Sequence, residues 1–222
     1  MTVPLGRRLV AEAIGTATLV AIGTGTIVLA GRLGGAPLWV IAAAWFLAVL
    51  IPIGLWARQS GAHLNPAVTI ALVISRRFPR RDALPYIGAQ SIGAFAASGI
   101  VLGALGDGAH LGSTVPAGGD LVRTFVLELL FTGALVISVV VVTDAGEGRY
   151  RWRLLLPPTV VGISTYLIGP WTGSSLNPAR TIAPAVWSAT YTGLPVYLLA
   201  SGIAALTLGL AARGRSEGLG EG

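Results

Sequence analysis

Gly61-Ala62-His63-Leu64-Asn65-Pro66-Ala67 returns, loosened, as Gly173-Ser174-Ser175-Leu176-Asn177-Pro178-Ala179. The two Leu-Asn-Pro-Ala copies stand 112 residues apart, one in each half of the chain, between long apolar runs. Asn is a strong helix N-cap, and Pro is favoured at the first helical position, where its missing N–H costs nothing. Each copy therefore predicts a helix start. Each start also falls at a depth where a bilayer-spanning chain should have no loop. Irregular backbone survives there only when packed in protein or lining a watery cavity. Two such breaks in matching positions are the pattern of a pore built from an inverted repeat. A plain loop-to-helix junction would account for one copy, but not for two in register.

Composition agrees. Hydrophobic residues make up 54% of the 222 and charged residues 11%, against roughly 25% charged in a soluble domain. Mean hydropathy is +0.77. There is no cysteine, so no disulfide framework or thiolate metal site is available. The net charge of +6 comes from arginines that flank apolar segments. That placement serves membrane orientation rather than nucleic acid. No nucleophile–base pair, metal cluster or phosphate loop stands out, so neither an enzyme nor a cofactor is implied.

Apolar segments long enough to span run over about 9–31, 37–57, 84–106, 121–143, 153–170 and 194–212. Two shorter pieces, 66–75 and 178–188, follow the Asn-Pro steps. Eleven helical residues rise about 16 Å, close to half the roughly 30 Å hydrocarbon core. These read as half-helices. The expected fold is an all-α membrane protein of six transmembrane helices plus two re-entrant half-helices. Three spans per half make an inverted 3+3 repeat, approximately 9–106 and 121–213, within a channel domain of 9–213. Residues 1–8 are read as a cytoplasmic N-terminus that keeps its first span, and 214–222 as a disordered cytoplasmic tail.

Arginine placement orients the chain. One side carries Arg7, Arg8, Arg58, Arg76, Arg77, Arg80, Arg81, Arg149, Arg151, Arg153, Arg213 and Arg215; the other has Arg32 and Arg123. Both termini are thus expected in the cytoplasm of a cell (plasma or inner) membrane protein. Trp39, Trp56, Trp152 and Trp171 lie near span ends, where such rings prefer the interface. Asp144 to Arg153 reads as a solvated cytoplasmic loop, with gating as the alternative.

The repeat carries chemistry. Ala11-Glu12 with Thr16 matches Leu127-Glu128 with Thr132. An intramembrane carboxylate suggests function by default, but one in each half favours a support for the re-entrant loops over a proton path. His63 is read the same way, its ring packing against the loop. Two helix N-termini, each about +0.5 of a charge, would face each other and repel cations. Asn65 and Asn177 would cap those helices and leave their NH2 groups free to donate. Backbone carbonyls of Gly61, Ala62, His63, Gly173, Ser174 and Ser175 would supply acceptors. Such a line passes neutral hydrogen-bonding molecules.

In both boxes and the Glu12/Glu128 pair, the chain resembles the major intrinsic protein family, the aquaporins and glycerol facilitators. The resemblance covers about residues 7–213 and includes Arg180 directly after the second box. It implies a homotetramer with one pore per subunit. It also implies a constriction at Trp45, Thr165, Ser174 and Arg180, although spacing alone leaves Trp45 free to face lipid. Strict water channels of the family place a His where Thr165 stands, and the only histidines here are His63 and His110. Thr181 and Ala185, by contrast, follow the water-type pattern. The filter sets pore size and polarity directly and decides the expectation: a passive channel for glycerol-like polyols, urea, undissociated metalloid acids and water. A channel used mainly for water is the alternative, and a non-conducting membrane scaffold a third.

Overall fold

The computed structural model describes residues 3–145 and 154–218, with side chains through residue 213. Arg149, Arg151, Trp152 and Arg153, counted above for orientation, lie outside the described residues, as do most of loop 144–153 and residues 219–222. Everything regular in the described residues is helical.

Local chemistry sets the ends. Helix α1 (Leu5–Arg32) and α2 (Leu38–Ser60) each follow a proline, Pro4 and Pro37. Asn65 caps α3 (Pro66–Ile74), and α4 spans Ala83–Leu105. Asp120 caps α5 (Leu121–Thr143) by accepting from the Arg123 N–H. Helix α6 (Leu156–Thr172) opens on prolines and keeps Pro170 inside it; Asn177 caps α7 (Pro178–Trp187). Helix α8 runs from Leu194 to Gly218, past the point where the composition predicts a disordered tail.

Among the described residues, five helical segments are long and apolar enough to cross a membrane: α1, α2, Arg80–Leu105, α5 and Leu194–Arg213. Helix α6 is shorter, 17 residues, about 25 Å at 1.5 Å per residue. Large apolar side chains face outward, while charged and amide groups are buried beside the apolar core. Val10, Ile14, Leu47, Ile92, Leu130 and Leu206 are exposed, whereas Glu12, Gln90, Glu128 and Arg180 are buried. That inversion suits a hydrocarbon solvent, which leaves polar groups the interior as their place to be satisfied. This is an all-α, multi-pass membrane fold.

The packing is reciprocal between halves. Helix α1 lies against α2 and α4, while α5 lies against α6 and α8. The short helices cross over: α3 packs mainly on α8, and α7 on α4. Close backbone approach makes this possible, as small residues do between membrane helices. At the α1–α4 crossing, a side chain on Gly93 would collide with the Ala13 carbonyl. The arrangement carries α3 and α7 into the middle of the bundle, where the site is built.

Candidate functional site

Two loops of the same shape lead into α3 and α7. Helix α2 closes at Gly61 (φ 88) and α6 at Gly173 (φ 77), both left-handed. The chain then takes left-handed backbone again at non-glycine residues: Ala62 and Leu64 in the first loop, Ser174 and Leu176 in the second. Each such residue costs on the order of 1–2 kcal/mol. They persist because a buried carboxylate holds each loop. Glu12 accepts from Ser60 Oγ at 2.7 Å, the His63 N–H at 2.9 Å and the Leu64 N–H at 2.8 Å. Glu128 accepts from Thr172 Oγ1 at 2.7 Å, the Ser175 N–H at 2.9 Å and the Leu176 N–H at 3.0 Å. From the far side, the Tyr86 hydroxyl donates to Ser60 O and the Tyr197 hydroxyl to Thr172 O.

At the centre the two asparagines tie the loops together. Asn65 Oδ1 accepts from the Ala67 N–H, and Asn177 Oδ1 from the Ala179 N–H. Asn65 Nδ2 donates to Leu176 O and Asn177 Nδ2 to Leu64 O, both at 2.8 Å. The sequence alone predicts free amides, and the structure shows that they are not wholly free. One N–H of each is committed to the opposite loop, because the facing carbonyl would otherwise be buried without a donor. An amide has two N–H groups, so one remains on each Asn. The carbonyls of Gly61, Ala62, His63, Ser174 and Ser175 take no hydrogen bond from the described residues, while Gly173 O accepts from Arg180 Nη2 at 3.5 Å.

A narrow cavity runs past this centre. Ala62, His63, Leu64, Asn65, Ser175, Leu176, Asn177 and Arg180 line one side, and Leu19, Val49, Ile53, Leu135, Val139 and Val161 the other. About 50 Å³ of it is open to water centres, and each water centre needs roughly 10–15 Å³, so it holds a short file. A wider cavity continues from it through Ile53, Ala62, His63, Val139 and Pro157 toward Arg8 and Arg77. His63 borders both; its ring meets Phe78 edge-on at 4.6 Å, and its Nδ1 is 3.2 Å from Thr69 Oγ1. At that wider mouth Arg77 forks onto Asp144, with both hydrogen bonds at 2.7 Å. The Asp144 carboxylate raises the Arg77 pKa above its ordinary value.

Two of the four expected constriction residues meet in the cavity wall. Arg180 is buried, and its guanidinium carbon lies 4.6 Å from the centre of the Trp45 ring. Its Nη1 donates to Gly112 O at 2.9 Å, while Nε has no partner among the described residues. The other two are buried but do not line this cavity. Thr165 Oγ1 donates to Val161 O, and Ser174 Oγ pairs with Ser164 Oγ at 2.8 Å.

Several partners escaped the sequence reading. The repeat is longer than its Leu-Asn-Pro-Ala core: Ser60 and Thr172 precede each glycine, and Thr69 and Thr181 follow each alanine at the same offset. Ser60 and Thr172 relay each Glu to the loop through the Ala62 and Ser174 N–H groups. Thr69 and Thr181 donate to the Asn65 and Asn177 carbonyls, and Thr181 also pairs with Ser175. That extended pattern is a signal the sequence holds. Gln90, which donates to Glu12 Oε2, has only its polarity in an apolar span to mark it. The Gly112 carbonyl has no sequence signal, since its role comes from a left-handed turn over Ala109, His110 and Leu111.

Two capped helix starts tied to each other's loops, a hydrogen-bonding edge and an apolar wall define a membrane channel for small uncharged molecules. The sequence model of the major intrinsic protein family matches residues 1–211. Over 200 residues the chain is 36% identical to aquaporin NIP1-3 of Oryza sativa subsp. japonica, covering 89% of this chain and 69% of that one. It is 39% identical over 215 residues to the probable aquaporin AqpM of Archaeoglobus fulgidus, covering 83% and 84%. The solved aquaglyceroporin of Plasmodium falciparum superposes with a TM-score of 0.76 at 26% identity, covering 95% of this chain and 94% of that one. The chain belongs to the major intrinsic protein family. It is a passive channel for water and small neutral solutes, not an enzyme.

Removing either carboxylate tests the loop supports. Glu12→Ala or Glu128→Ala strands two backbone N–H groups and a hydroxyl, and Glu12→Ala also removes an acceptor from the Gln90 amide, each stranded donor costing about 1–3 kcal/mol. Both variants should lower the unfolding midpoint in detergent well below that of the Gln variants, which keep one acceptor oxygen.

Proposed function

We propose that this chain conducts glycerol-like polyols, urea and undissociated metalloid acids together with water, and excludes protons and ions. The observation that carries the reading is the pairing of Trp45 and Arg180 in the cavity wall. The indole offers an apolar face to a carbon skeleton, and the guanidinium offers donors to hydroxyl groups. Thr165, not a histidine, stands at the fifth-span position of the constriction. Thr165 and Ser174 are small, and their hydroxyls are committed to Val161 and Ser164. In this reading Trp45 and Arg180 form the cavity-lining wall of the constriction, Thr165 and Ser174 are buried outside that lining, and the Asn65-Pro66-Ala67 and Asn177-Pro178-Ala179 boxes add a second point of selection. The relatives named above support the same reading, a NIP-type aquaporin and an aquaglyceroporin among them.

The finer architecture belongs with that proposal. Helices α1, α2, α4, α5, α6 and α8 are six spans, and α3 and α7 are re-entrant half-helices of an inverted 3+3 repeat. Its support is the matched bonding of Glu12 with Glu128 and Asn65 with Asn177. In that frame the arginine excess puts both termini in the cytoplasm of the cell membrane, and four copies assemble as a homotetramer with one pore each. A channel used mainly for water is the second reading, favoured by the narrowness of the cavity.

Proteoliposomes in stopped-flow light scattering separate the two. Fast shrinkage in an impermeant osmolyte followed by fast re-swelling in glycerol is the expected result; shrinkage with glycerol held out selects the water channel. Arg180→Ala removes about 4 kcal/mol of repulsion from a cation passing at 4 Å, for an effective dielectric near 20. Ammonium flux through that variant should rise by about tenfold or more, which takes only ~1.4 kcal/mol.

A further inference from the structure

Gly23 lies on α1, outside the four constriction positions, and is buried. A Cβ built on it would overlap Cζ2, Cη2 and Cζ3 of Trp45, the outer edge of the indole's six-membered ring. The indole is only 3% exposed and carries the Arg180 guanidinium 4.6 Å from its ring centre. Arg180 is itself held by the Gly112 and Gly173 carbonyls. The ring thus sits between the bare backbone of α1 and a cation that is tied in place. In such close-packed surroundings a single added methyl displaces its neighbour.

The second half of the chain makes a telling comparison. Gly23 follows Glu12 by eleven residues, and Val139 follows Glu128 by eleven. Trp45 precedes Asn65 by twenty residues, and Pro157 precedes Asn177 by twenty. The half that brings a large ring to the cavity has glycine in that register, and the half that brings a small one has valine. Trp45, Val139 and Pro157 all line the cavity.

We infer that Gly23 is a specificity-setting position: by letting the indole sit back against α1, it fixes the width of the passage beside Arg180. This rests on the proposed role of Trp45 and Arg180 and deepens it. Gly23 touches no solute; it is a positioning residue that acts through Trp45. A methyl at position 23 drives the ring edge away from α1, and with Arg180 tied down the ring moves across the cavity. Solutes with a carbon skeleton lose passage before water does.

The test compares wild type, Gly23→Ala, Trp45→Phe and the Gly23→Ala/Trp45→Phe double variant in proteoliposomes at matched channel density. Water and glycerol permeabilities are measured on each. One methyl in a fitted pocket discriminates by about tenfold or more, so Gly23→Ala should lower the glycerol-to-water permeability ratio by that order. The double variant, with a smaller ring, should recover the ratio of Trp45→Phe alone. An unchanged ratio in folded Gly23→Ala overturns the inference, as does an equal fall in both permeabilities that Trp45→Phe fails to rescue. If Gly23→Ala does not fold, the double variant decides: a ratio equal to that of Trp45→Phe supports the steric coupling, and one well below it overturns the coupling. Wild-type vesicles that exclude glycerol overturn the wide-filter reading instead. Gly23→Ala must then lower water permeability itself, and no change there overturns the inference too.

Discussion

Two reciprocal hydrogen bonds, from Asn65 Nδ2 to Leu176 O and from Asn177 Nδ2 to Leu64 O, hold the middle of this molecule together. Each asparagine caps its own short helix with its oxygen and reaches across to the other loop with its nitrogen. The two helix starts are thereby tied to each other's loops, and each brings its partial positive charge to the cavity that both asparagines line. The loops that reach this cavity are strained at Ala62, Leu64, Ser174 and Leu176. Glu12 and Glu128 hold them from behind, and Tyr86 and Tyr197 anchor the helix ends they spring from. Strain of this kind lasts only where its surroundings over-determine it. Here the over-determination is duplicated, once per half.

Function enters where the duplication fails. Val68 and Arg180 occupy the same place in the two boxes, each three residues after its Asn, and both line the cavity. One is apolar and the other is a buried cation resting over an indole. His63 and Ser175 are a second unequal pair, the first stacked among Phe78 and Tyr86 at the wide mouth. A symmetric scaffold therefore carries an asymmetric lining. The cavity lining thus holds one buried arginine, with valine at the matching place of the other half.

How much of this could be read in the sequence depended on how local each cause was. Capping is local, so the starts of α3 and α7 at Pro66 and Pro178 follow directly from Asn-Pro. The Glu12 and Glu128 pair was visible because carboxylates are rare in apolar spans and these fall in register. Helix ends were less legible. The expected span of 153–170 ends at Pro170, yet α6 continues through it to Thr172 and turns at Gly173. The asparagine amides looked free because the carbonyls that engage them lie more than a hundred residues away in the chain. Gly112 was invisible for the same reason. Thr165 and Ser174 were named from the resemblance, but the bonds of their hydroxyls depend on Val161 and Ser164 and on how α6 packs.

The central claim is that two helix starts, locked by the asparagines, pass neutral molecules and turn cations away. The direct measurement is proton flux in vesicles carrying a trapped pH-sensitive dye, driven by a potassium diffusion potential, with water permeability recorded on the same preparation. The account predicts water permeability that rises with channel density while proton flux stays at the level of empty vesicles. Proton flux that rises in step with channel density would contradict it.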